Sequence, residues 1–274
     1  MAHPQKLLGA CRLMGGIDGD FDGHAHVFRA DLPMAEGRRY TPDDHAALSR
    51  YASLLKASSL DGAILVQPSF LGNDNSFLEN ALVEAAAYDG MTFRGVAVLD
   101  PASPPDLDRL CEIGMIGIRL NVIGEPDERL KSLDRWDGLL RRIDRLGWHV
   151  ELHCEGERLP PLLTWVLGRS ASVVVDHFGL PDAGSPSDCP GQRAILDAPR
   201  GRVMVKASAP YRVFPSLTTA EAAERCSAIL QRFHDHLGSG QLLWGSDWPW
   251  TRFERAHSFD ELLIWRKRWL DRLG

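Results

Sequence analysis

Short apolar runs rich in valine, isoleucine and leucine alternate along the chain with longer segments of mixed polarity. The runs begin at Phe21, Asp61, Phe93, Met115, Trp148, Ser172, Arg202 and Gln241. Runs of this kind are typical of parallel strands that are covered by helices on the outside. The pattern therefore predicts eight parallel β-strands.

The segments between these runs carry apolar residues at helical spacing. The clearest are AALSRYASLLKASSL, NSFLENALVEAAAY, RWDGLLRRIDRL, TTAEAAERCSAILQRFHDHL and FDELLIWRKRWLDRLG. Thr41-Pro42-Asp43-Asp44 is predicted to open the first helix, because a potential N-cap precedes a proline and two acidic residues. The stretch from Leu180 to Pro199 is rich in proline, glycine, serine and aspartate, and it is predicted to be a long loop after the sixth strand.

Alternation of strands and helices over the whole chain predicts an α/β fold. The clear helices alone would also suit a doubly wound open sheet, but eight strand–helix units favour a closed (β/α)8 TIM barrel. The length of 274 residues agrees with the ~250 residues that this barrel typically needs. We therefore predict one barrel domain over residues 1–274, with residues 1–19 as an N-terminal extension.

Composition narrows the function classes. The formal net charge of -6 argues against nucleic acid or an anionic membrane as a partner, since both bind basic surfaces. No segment approaches the ~20 apolar residues of a membrane span, and the N-terminus lacks the apolar run of a signal peptide. Five widely spaced cysteines without a CxxC motif argue against a disulfide framework. These features predict a reduced, cytoplasmic protein, and they leave a homo-oligomer open.

Polar residues stand where several of the apolar runs end. The first run contains His24 and His26, whose side chains point to the same face of a strand. The fifth, sixth and eighth runs end in Glu151-Leu152-His153, Asp176-His177 and Gly245-Ser246-Asp247. In a TIM barrel these positions surround the C-terminal mouth, where active sites of this fold lie. Packing alone does not explain them, because a buried polar group is costly unless it is paired.

The same residue types could bind a metal ion. His24, His26 and His153 could supply three nitrogen ligands and Asp247 an oxygen to one divalent ion, with zinc favoured, as in catalytic zinc sites. The histidines could instead polarise a carbonyl oxygen without a metal. No organic cofactor is expected. Lys206, in the seventh run, could be a lysine of the barrel interior or a salt-bridge partner.

Four motifs together resemble a known family. DGHAHVF, GIRLN, DHFG and GSDWPW occur in the order and spacing of the amidohydrolase superfamily. Within it, the chain is most similar to the 2-pyrone-4,6-dicarboxylate lactonase-like group, which includes sugar lactonases. The resemblance covers the chain from Asp22 to Trp250, and it implies a hydrolase that opens a small lactone.

The resemblance also implies roles for individual residues. Asp247 would be the general base, acting with the catalytic histidines His24, His26 and His177. Arg119 would grip a carboxylate or polar oxygen of the substrate, and Tyr40 and Ser69 lie near substrate-contacting positions of the family. From their place after the seventh strand, Tyr211 and Arg212 could also reach the substrate.

The sequence departs from the pyrone dicarboxylate lactonases at three places. Glu125 and Leu180 stand where arginines would be sought, and His153 stands where these lactonases tend to have tyrosine. The expected substrate is therefore a small molecule with a carboxylate or hydroxyl groups, and its identity is left open. The alternatives are a lactone isomerase, a non-oxidative decarboxylase of a carboxylated aromatic or unsaturated acid, and a barrel retained for binding alone.

Overall fold

The computed structural model describes residues 20–126, 133–170 and 172–273. Within these ranges, eight parallel strands follow one another in chain order in a single sheet. They are β1 (Phe21–Ala25), β2 (Gly62–Val66), β3 (Thr92–Ala97), β4 (Met115–Asn121), β5 (His149–His153), β6 (Val173–Val175), β7 (Val203–Ser208) and β8 (Leu242–Gly245). All eight predicted strands are confirmed. The predicted extension over residues 1–19 lies outside the described residues.

The sheet closes through β1 and the residues that follow β8. A parallel bridge joins Ala25 to Trp248. The backbone nitrogen of His26 donates to the carbonyl oxygen of Trp248 at 2.7 Å, and that of Asp247 donates to the carbonyl oxygen of His24 at 2.8 Å. The prediction of a (β/α)8 barrel rather than an open sheet is confirmed.

The buried side chain of Asp22 stabilises the contact between β1 and the residues that follow β8. Its Oδ1 accepts from the backbone nitrogens of His24 at 3.1 Å and Ser246 at 2.8 Å. Its Oδ2 accepts from the Tyr51 hydroxyl at 2.7 Å. Asp22 therefore fixes the relative position of the two strand ends that carry His24 and Asp247.

Helices cover the outside of the barrel. They are α1 (Leu48–Ala57), α2 (Ser76–Ala85), α3 (Leu107–Glu112), α4 (Asp137–Arg145), α5 (Leu159–Leu167), α6 (Pro190–Leu196), α7 (Pro210–Val213), α8 (Thr219–Leu237) and α9 (Phe259–Leu273). The longest, α8, begins with a capping box between Thr218 and Glu221, which satisfies amide groups that the first turn leaves without partners.

Two predictions about these segments were wrong. The first helix begins at Leu48 rather than near Thr41, because Ala46 is held in extended pairing with Phe28 by hydrogen bonds of 3.0 and 2.9 Å. The stretch from Leu180 to Pro199 is not all loop, since it contains α6. That helix is anchored by buried Ile195, and proline suits its first position.

Part of the barrel interior is apolar. Alternate positions of four strands form a cluster that is separate from the main core beneath the helices, and its buried members are Ile64, Val66, Val96, Ile116 and Leu243. The polar residues of the site lie at the C-terminal ends of the strands. No helix within the described residues combines the length and the apolar character needed to cross a membrane.

Candidate active site

Four histidines meet at the C-terminal mouth of the barrel. His24 lies in β1 and His26 directly follows it, and their ring centroids are 4.9 Å apart. His177 follows β6, with its ring 4.9 Å from that of His24 and 5.1 Å from that of His153 at the end of β5. The structure thus brings together the histidines that the sequence suggested.

Asp247 faces this group from the end of β8. Its Oδ2 accepts from the Tyr211 hydroxyl at 2.6 Å and from Nε of Arg212 at 2.7 Å. Its Oδ1 is buried without a hydrogen-bond partner and lies 3.6 Å from Nε2 of His24 and 3.5 Å from Nε2 of His26. One oxygen therefore anchors the carboxylate, and the other is available for chemistry.

The charge state of Asp247 follows from its neighbours. Burial alone would raise the pKa of this carboxyl, but the Arg212 guanidinium and the nearby histidines outweigh burial and hold the pKa well below its usual value. Asp247 is therefore ionised at neutral pH, as a general base must be. Burial also lowers the pKa of His177 to about 4, so its imidazole is neutral at the same pH.

Hydrogen bonds at Nδ1 fix which nitrogen carries the proton in three of the imidazoles. Nδ1 of His26 donates to the carbonyl oxygen of Val66 at 2.7 Å, which leaves a lone pair on its Nε2. Nδ1 of His153 faces Nη2 of Arg119 at 3.0 Å. A guanidinium can only donate, so His153 carries its proton on Nε2. Nδ1 of His24 likewise faces a donor, Nζ of Lys206, at 2.8 Å, so His24 also carries its proton on Nε2.

Arg119 lies deeper than the sequence suggested. Its Nε and Nη2 donate to Oδ2 of Asp176 at 2.9 and 2.7 Å, and its exposure is only 4%. The guanidinium borders the pocket, but its donors serve Asp176 and His153. Direct grip on the substrate by Arg119 stays a prediction.

A pocket of about 260 Å³ opens above the histidines. His26, His153, His177 and Asp247 form its inner end, whereas His24 is fully buried beneath it. The pocket is small, as suits a small-molecule substrate. His24 therefore does not line the pocket, and its predicted catalytic role stays a prediction.

The remaining predicted residues take different places. Tyr40 and Ser69 line the pocket, and the Tyr40 hydroxyl donates to Glu254. Arg212 also lines the pocket while it holds Asp247. Tyr211 is buried behind Asp247 and is not among the lining residues, so its hydroxyl orients the carboxylate instead of forming the pocket wall.

Two arginines of the pocket wall were missed by the sequence reasoning. Arg39 precedes Tyr40, and Arg252 follows the GSDWPW motif. Nη2 of Arg252 donates to the carbonyl oxygen of Arg39 at 2.7 Å, and Nη2 of Arg39 reaches Oδ1 of Asn121 at 3.4 Å. Among the described residues, neither guanidinium has a carboxylate within 4.0 Å. Both belong to loops without a periodic pattern, so only their nearness to the motifs hinted at a role.

The backbone is strained where it presents several side chains of the candidate site. Asp247 has φ of 57°, His177 of 50° and Arg252 of 77°. Residues with a side chain adopt this left-handed region at a cost of about 1–3 kcal/mol each, and such residues cluster at functional sites. The strain is consistent with a mouth shaped for function rather than for stability.

The family assignment follows from comparison with known proteins. The model of the family described as Amidohydrolase matches residues 21–272. The chain belongs to the amidohydrolase family. The matched span contains all eight strands and every residue of the site described above, so the family match and the geometry concern the same part of the chain.

Two relatives of this amidohydrolase are named for lactone hydrolysis. A 2-pyrone-4,6-dicarboxylate hydrolase of Comamonas testosteroni is 30% identical over 263 residues, covering 90% of this chain and 82% of the relative. A 4-sulfomuconolactone hydrolase of Rhizobium radiobacter is 26% identical over 240 residues, covering 84% of this chain and 76% of the relative.

A solved structure of similar shape carries a small carboxylic acid. A probable 2-pyrone-4,6-dicarboxylic acid hydrolase of Acinetobacter baumannii, crystallised with citric acid bound, is 30% identical. The match covers 91% of this chain and 91% of the chain in that structure, with a TM-score of 0.83. The barrel of the amidohydrolase therefore has a close structural counterpart over most of its length.

Amidohydrolases often use a metal ion, and the donor set of this chain can be tested for one. Nε2 of His24, Nε2 of His26 and Oδ1 of Asp247 face one another closely enough to hold an ion. His153, the fourth predicted ligand, is not part of this group, and its Nδ1 accepts from Arg119. The predicted four-residue set is therefore only partly assembled.

The tautomers of His24 and His26 decide whether these residues can ligate a metal ion. A ligating imidazole offers the lone pair of one nitrogen while its other N–H donates to an acceptor, and His26 meets this requirement through Val66. His24 does not, since Lys206 donates to its Nδ1 and its proton then lies on Nε2. Two donors remain, fewer than the three protein ligands of a catalytic zinc site. The residues as arranged do not fit the ion, and we assign no step to it.

Proposed function

We propose that this amidohydrolase hydrolyses a small lactone that carries an anionic group, with Asp247 as the general base. The observation that carries the proposal is the different environment of the two oxygens of this ionised carboxylate. Oδ2 is anchored by hydrogen bonds from Tyr211 and Arg212, whereas Oδ1 has no hydrogen-bond partner. The names of the two curated relatives support the reaction class, and the pocket volume suits a substrate of that size.

The attacking water would lie between Asp247 and His26. Oδ1 of Asp247 and Nε2 of His26 are both acceptors, and they lie 3.5 Å apart. A water that donates one hydrogen to each has its lone pairs directed away from them, towards the pocket. Transfer of one hydrogen to Oδ1 as the water attacks the carbonyl carbon is general base catalysis, which contributes typically 10²–10⁴-fold.

The developing oxyanion needs hydrogen-bond donors. His153 lines the pocket and carries its proton on Nε2, because Arg119 donates to its Nδ1. His177 lies beside it, with Nδ1 hydrogen-bonded to the Ser208 hydroxyl at 2.8 Å. We assign the Ser208 hydroxyl as the donor to Nδ1 of His177, which places the proton of that ring on Nε2 as well. Donors that are already oriented stabilise negative charge without reorganisation, so both histidines are assigned to the carbonyl oxygen.

Collapse of the tetrahedral intermediate completes the reaction. The bond between the carbonyl carbon and the ring oxygen breaks, and Asp247 returns its proton to the departing ring oxygen. Water has then been added across the ester bond, which gives a hydroxyl or enol and a carboxylic acid that releases its proton to solvent and becomes a carboxylate. Asp247 is again ionised, so the chain needs no further reactant.

The anionic group of the substrate would bind at the pocket entrance. Arg39 and Arg252 are adjacent cations that lack a carboxylate partner among the described residues. Two unpaired like charges repel each other, and a bound carboxylate or sulfonate relieves that repulsion. Ser69 lies on the same pocket wall and would contact the polar edge of the substrate.

Turnover of a panel in oxygen-18 water tests the reaction class. The panel contains 2-pyrone-4,6-dicarboxylate, 4-sulfomuconolactone, a sugar lactone and a carboxylated aromatic acid, each followed by ultraviolet absorbance or proton release. Hydrolysis incorporates one labelled oxygen into the new carboxylate. An isomerase would incorporate none, and a decarboxylase would release carbon dioxide. Either of those results, or no turnover of any lactone, contradicts the proposal.

A further inference from the structure

Beneath the site lies a buried charge cluster to which the proposed reaction assigns no direct contact with the reacting atoms. Its members are two cations and two carboxylates from four different strand ends: Lys206, Arg119, Glu151 and Asp176. Their side chains are between 0% and 4% exposed. The formal charges cancel, so the cluster is neutral without any further ion.

Lys206 forms one of the contacts between this cluster and the histidines of the site. Its Nζ lies 2.5 Å from Oε2 of Glu151 and 3.4 Å from Oδ1 of Asp176, and it lies 2.8 Å from Nδ1 of His24. An ammonium group has three hydrogens and no lone pair. Nδ1 of His24 must therefore be the acceptor, and the imidazole proton is on Nε2.

The opposite side of the same ring agrees with this assignment. Nε2 of His24 lies 3.6 Å from Oδ1 of Asp247, and neither atom has another hydrogen-bond partner. With its proton on Nε2, His24 presents a donor to the ionised oxygen of the general base. With the proton on Nδ1, two donors, Nδ1–H of His24 and the ammonium group of Lys206, would face each other at 2.8 Å.

We propose that Lys206 is a positioning residue that holds His24 as the Nε2–H tautomer, so that His24 supports the general base and cannot ligate a metal ion. The effect on turnover rests on the proposed lactone hydrolysis. The tautomer and the metal affinity do not, because both are properties of the resting protein.

A structural ion pair would produce the same contacts among Lys206, Glu151 and Asp176 but would not determine the tautomer of His24. The two interpretations predict different results when Lys206 is removed without leaving a buried charge. The double variant Lys206→Met with Glu151→Gln removes one cation and one anion, so the cluster stays neutral. Nδ1–H of His24 can then donate to Oδ1 of Asp176, 3.4 Å away.

Nitrogen-15 spectra of protein labelled at histidine read the tautomer directly, and comparison with a His24→Asn variant assigns the signal. We expect a protonated Nε2 in the wild type and a protonated Nδ1 in the double variant. Glu151→Gln alone is the matched control, because it disturbs the same ion pair but keeps the Lys206 donor. It should retain the protonated Nε2.

Zinc binding to the resting protein is the second measurement. Titration with zinc chloride should show affinity at least about 10-fold higher in the double variant than in the wild type, since a changed partner of a ligating histidine alters affinity by about 10–100-fold. The kcat for a lactone turned over by the wild type should fall by about 10-fold or more with little change in KM. Lys267→Met, at an exposed pair with Asp271, should leave kcat, KM and zinc affinity unchanged.

Circular dichroism and urea unfolding establish that each variant is folded. A wild-type His24 protonated on Nδ1, or a folded double variant that keeps both the Nε2 proton and the wild-type zinc affinity, overturns the proposal. If the tautomer and zinc affinity change as expected but no lactone is turned over by the wild type, the proposed reaction fails and the role of Lys206 at His24 stands.

Discussion

Replacing Asp247 with asparagine changes one charge and almost no volume, so its outcome can be followed atom by atom. The Tyr211 hydroxyl and Nε of Arg212 both donate to Oδ2. The amide oxygen of asparagine would take that place, because the alternative orientation sets an NH2 group against two donors. The NH2 group then replaces Oδ1, opposite His24 and His26.

The free acceptor that is proposed to take the proton of water is thereby lost. General base catalysis is worth about 10²–10⁴-fold, so we expect kcat to fall by about 10³-fold while KM changes little. Arg212, 18% exposed, loses its charged partner, and charge-assisted hydrogen bonds contribute about 1.5–3 kcal/mol. We therefore expect the free energy of unfolding to drop by about 2 kcal/mol, which leaves a folded protein.

The assay is initial-rate hydrolysis of whichever lactone the wild type accepts, with urea unfolding of the same preparations. Tyr211→Phe is the matched control, because it removes one anchor of Oδ2 and keeps the carboxylate. It should reduce kcat by about 10-fold or less. A folded Asp247→Asn variant with more than about a tenth of the wild-type kcat would refute the assignment of the base.

Three other outcomes are expected. The pKa of His177 is about 4 in the folded protein against 6.5 for an ordinary histidine. The unfolded chain thus takes up the proton first, and the free energy of unfolding in urea should decrease from pH 6.5 towards 4, by at most about 1.4 kcal/mol per pH unit from this residue. Arg119→Met leaves the buried Asp176 without its closest cation, and it should cost about 3–5 kcal/mol in urea unfolding; a cost below 1 kcal/mol would contradict the pairing. Arg39→Gln combined with Arg252→Gln should raise KM for an anionic lactone at least about 10-fold with little change in kcat, and an unchanged KM would remove these arginines from substrate binding.

The strand ends of this protein could be predicted because a barrel converts position along the chain into position in space. Every parallel strand ends at the same mouth, so polar residues that follow apolar runs must gather there. His24, His177 and Asp247 were found in this way without knowledge of their contacts. The start of the first helix was wrongly predicted near Thr41, because pairing between Phe28 and Ala46 outweighs the local capping preference.

The tautomers of the histidines and the partners of the buried charged residues could be identified only from the structure. His153 resembled a metal ligand in the sequence, since a histidine at a strand end is compatible with both roles. Only the Arg119 guanidinium at its Nδ1 distinguishes a donor from a ligand. Lys206 gave a weak signal, as a cation inside an apolar strand that must be paired. Side chains of alternate strands share one layer of a barrel, and β1, β5 and β7 contribute His24, Glu151 and Lys206, so this layer was in principle open to prediction.

The distribution of charge links these details to the kind of ligand that the mouth accepts. Each buried carboxylate of the site has its own cation: Asp247 has Arg212, and the cluster beneath balances Lys206 and an arginine against two acids. A dication would add charge to a centre that is already neutral and is bordered by cations, whereas an anion at Arg39 and Arg252 would supply a missing partner. Burying an unpaired charge is expensive, so the same arrangement that disfavours a metal ion at the histidines favours an anionic substrate at the entrance. The negative net charge of the whole chain, -6, does not oppose this, because the local cations act over distances shorter than the screening length of about 8 Å at physiological ionic strength.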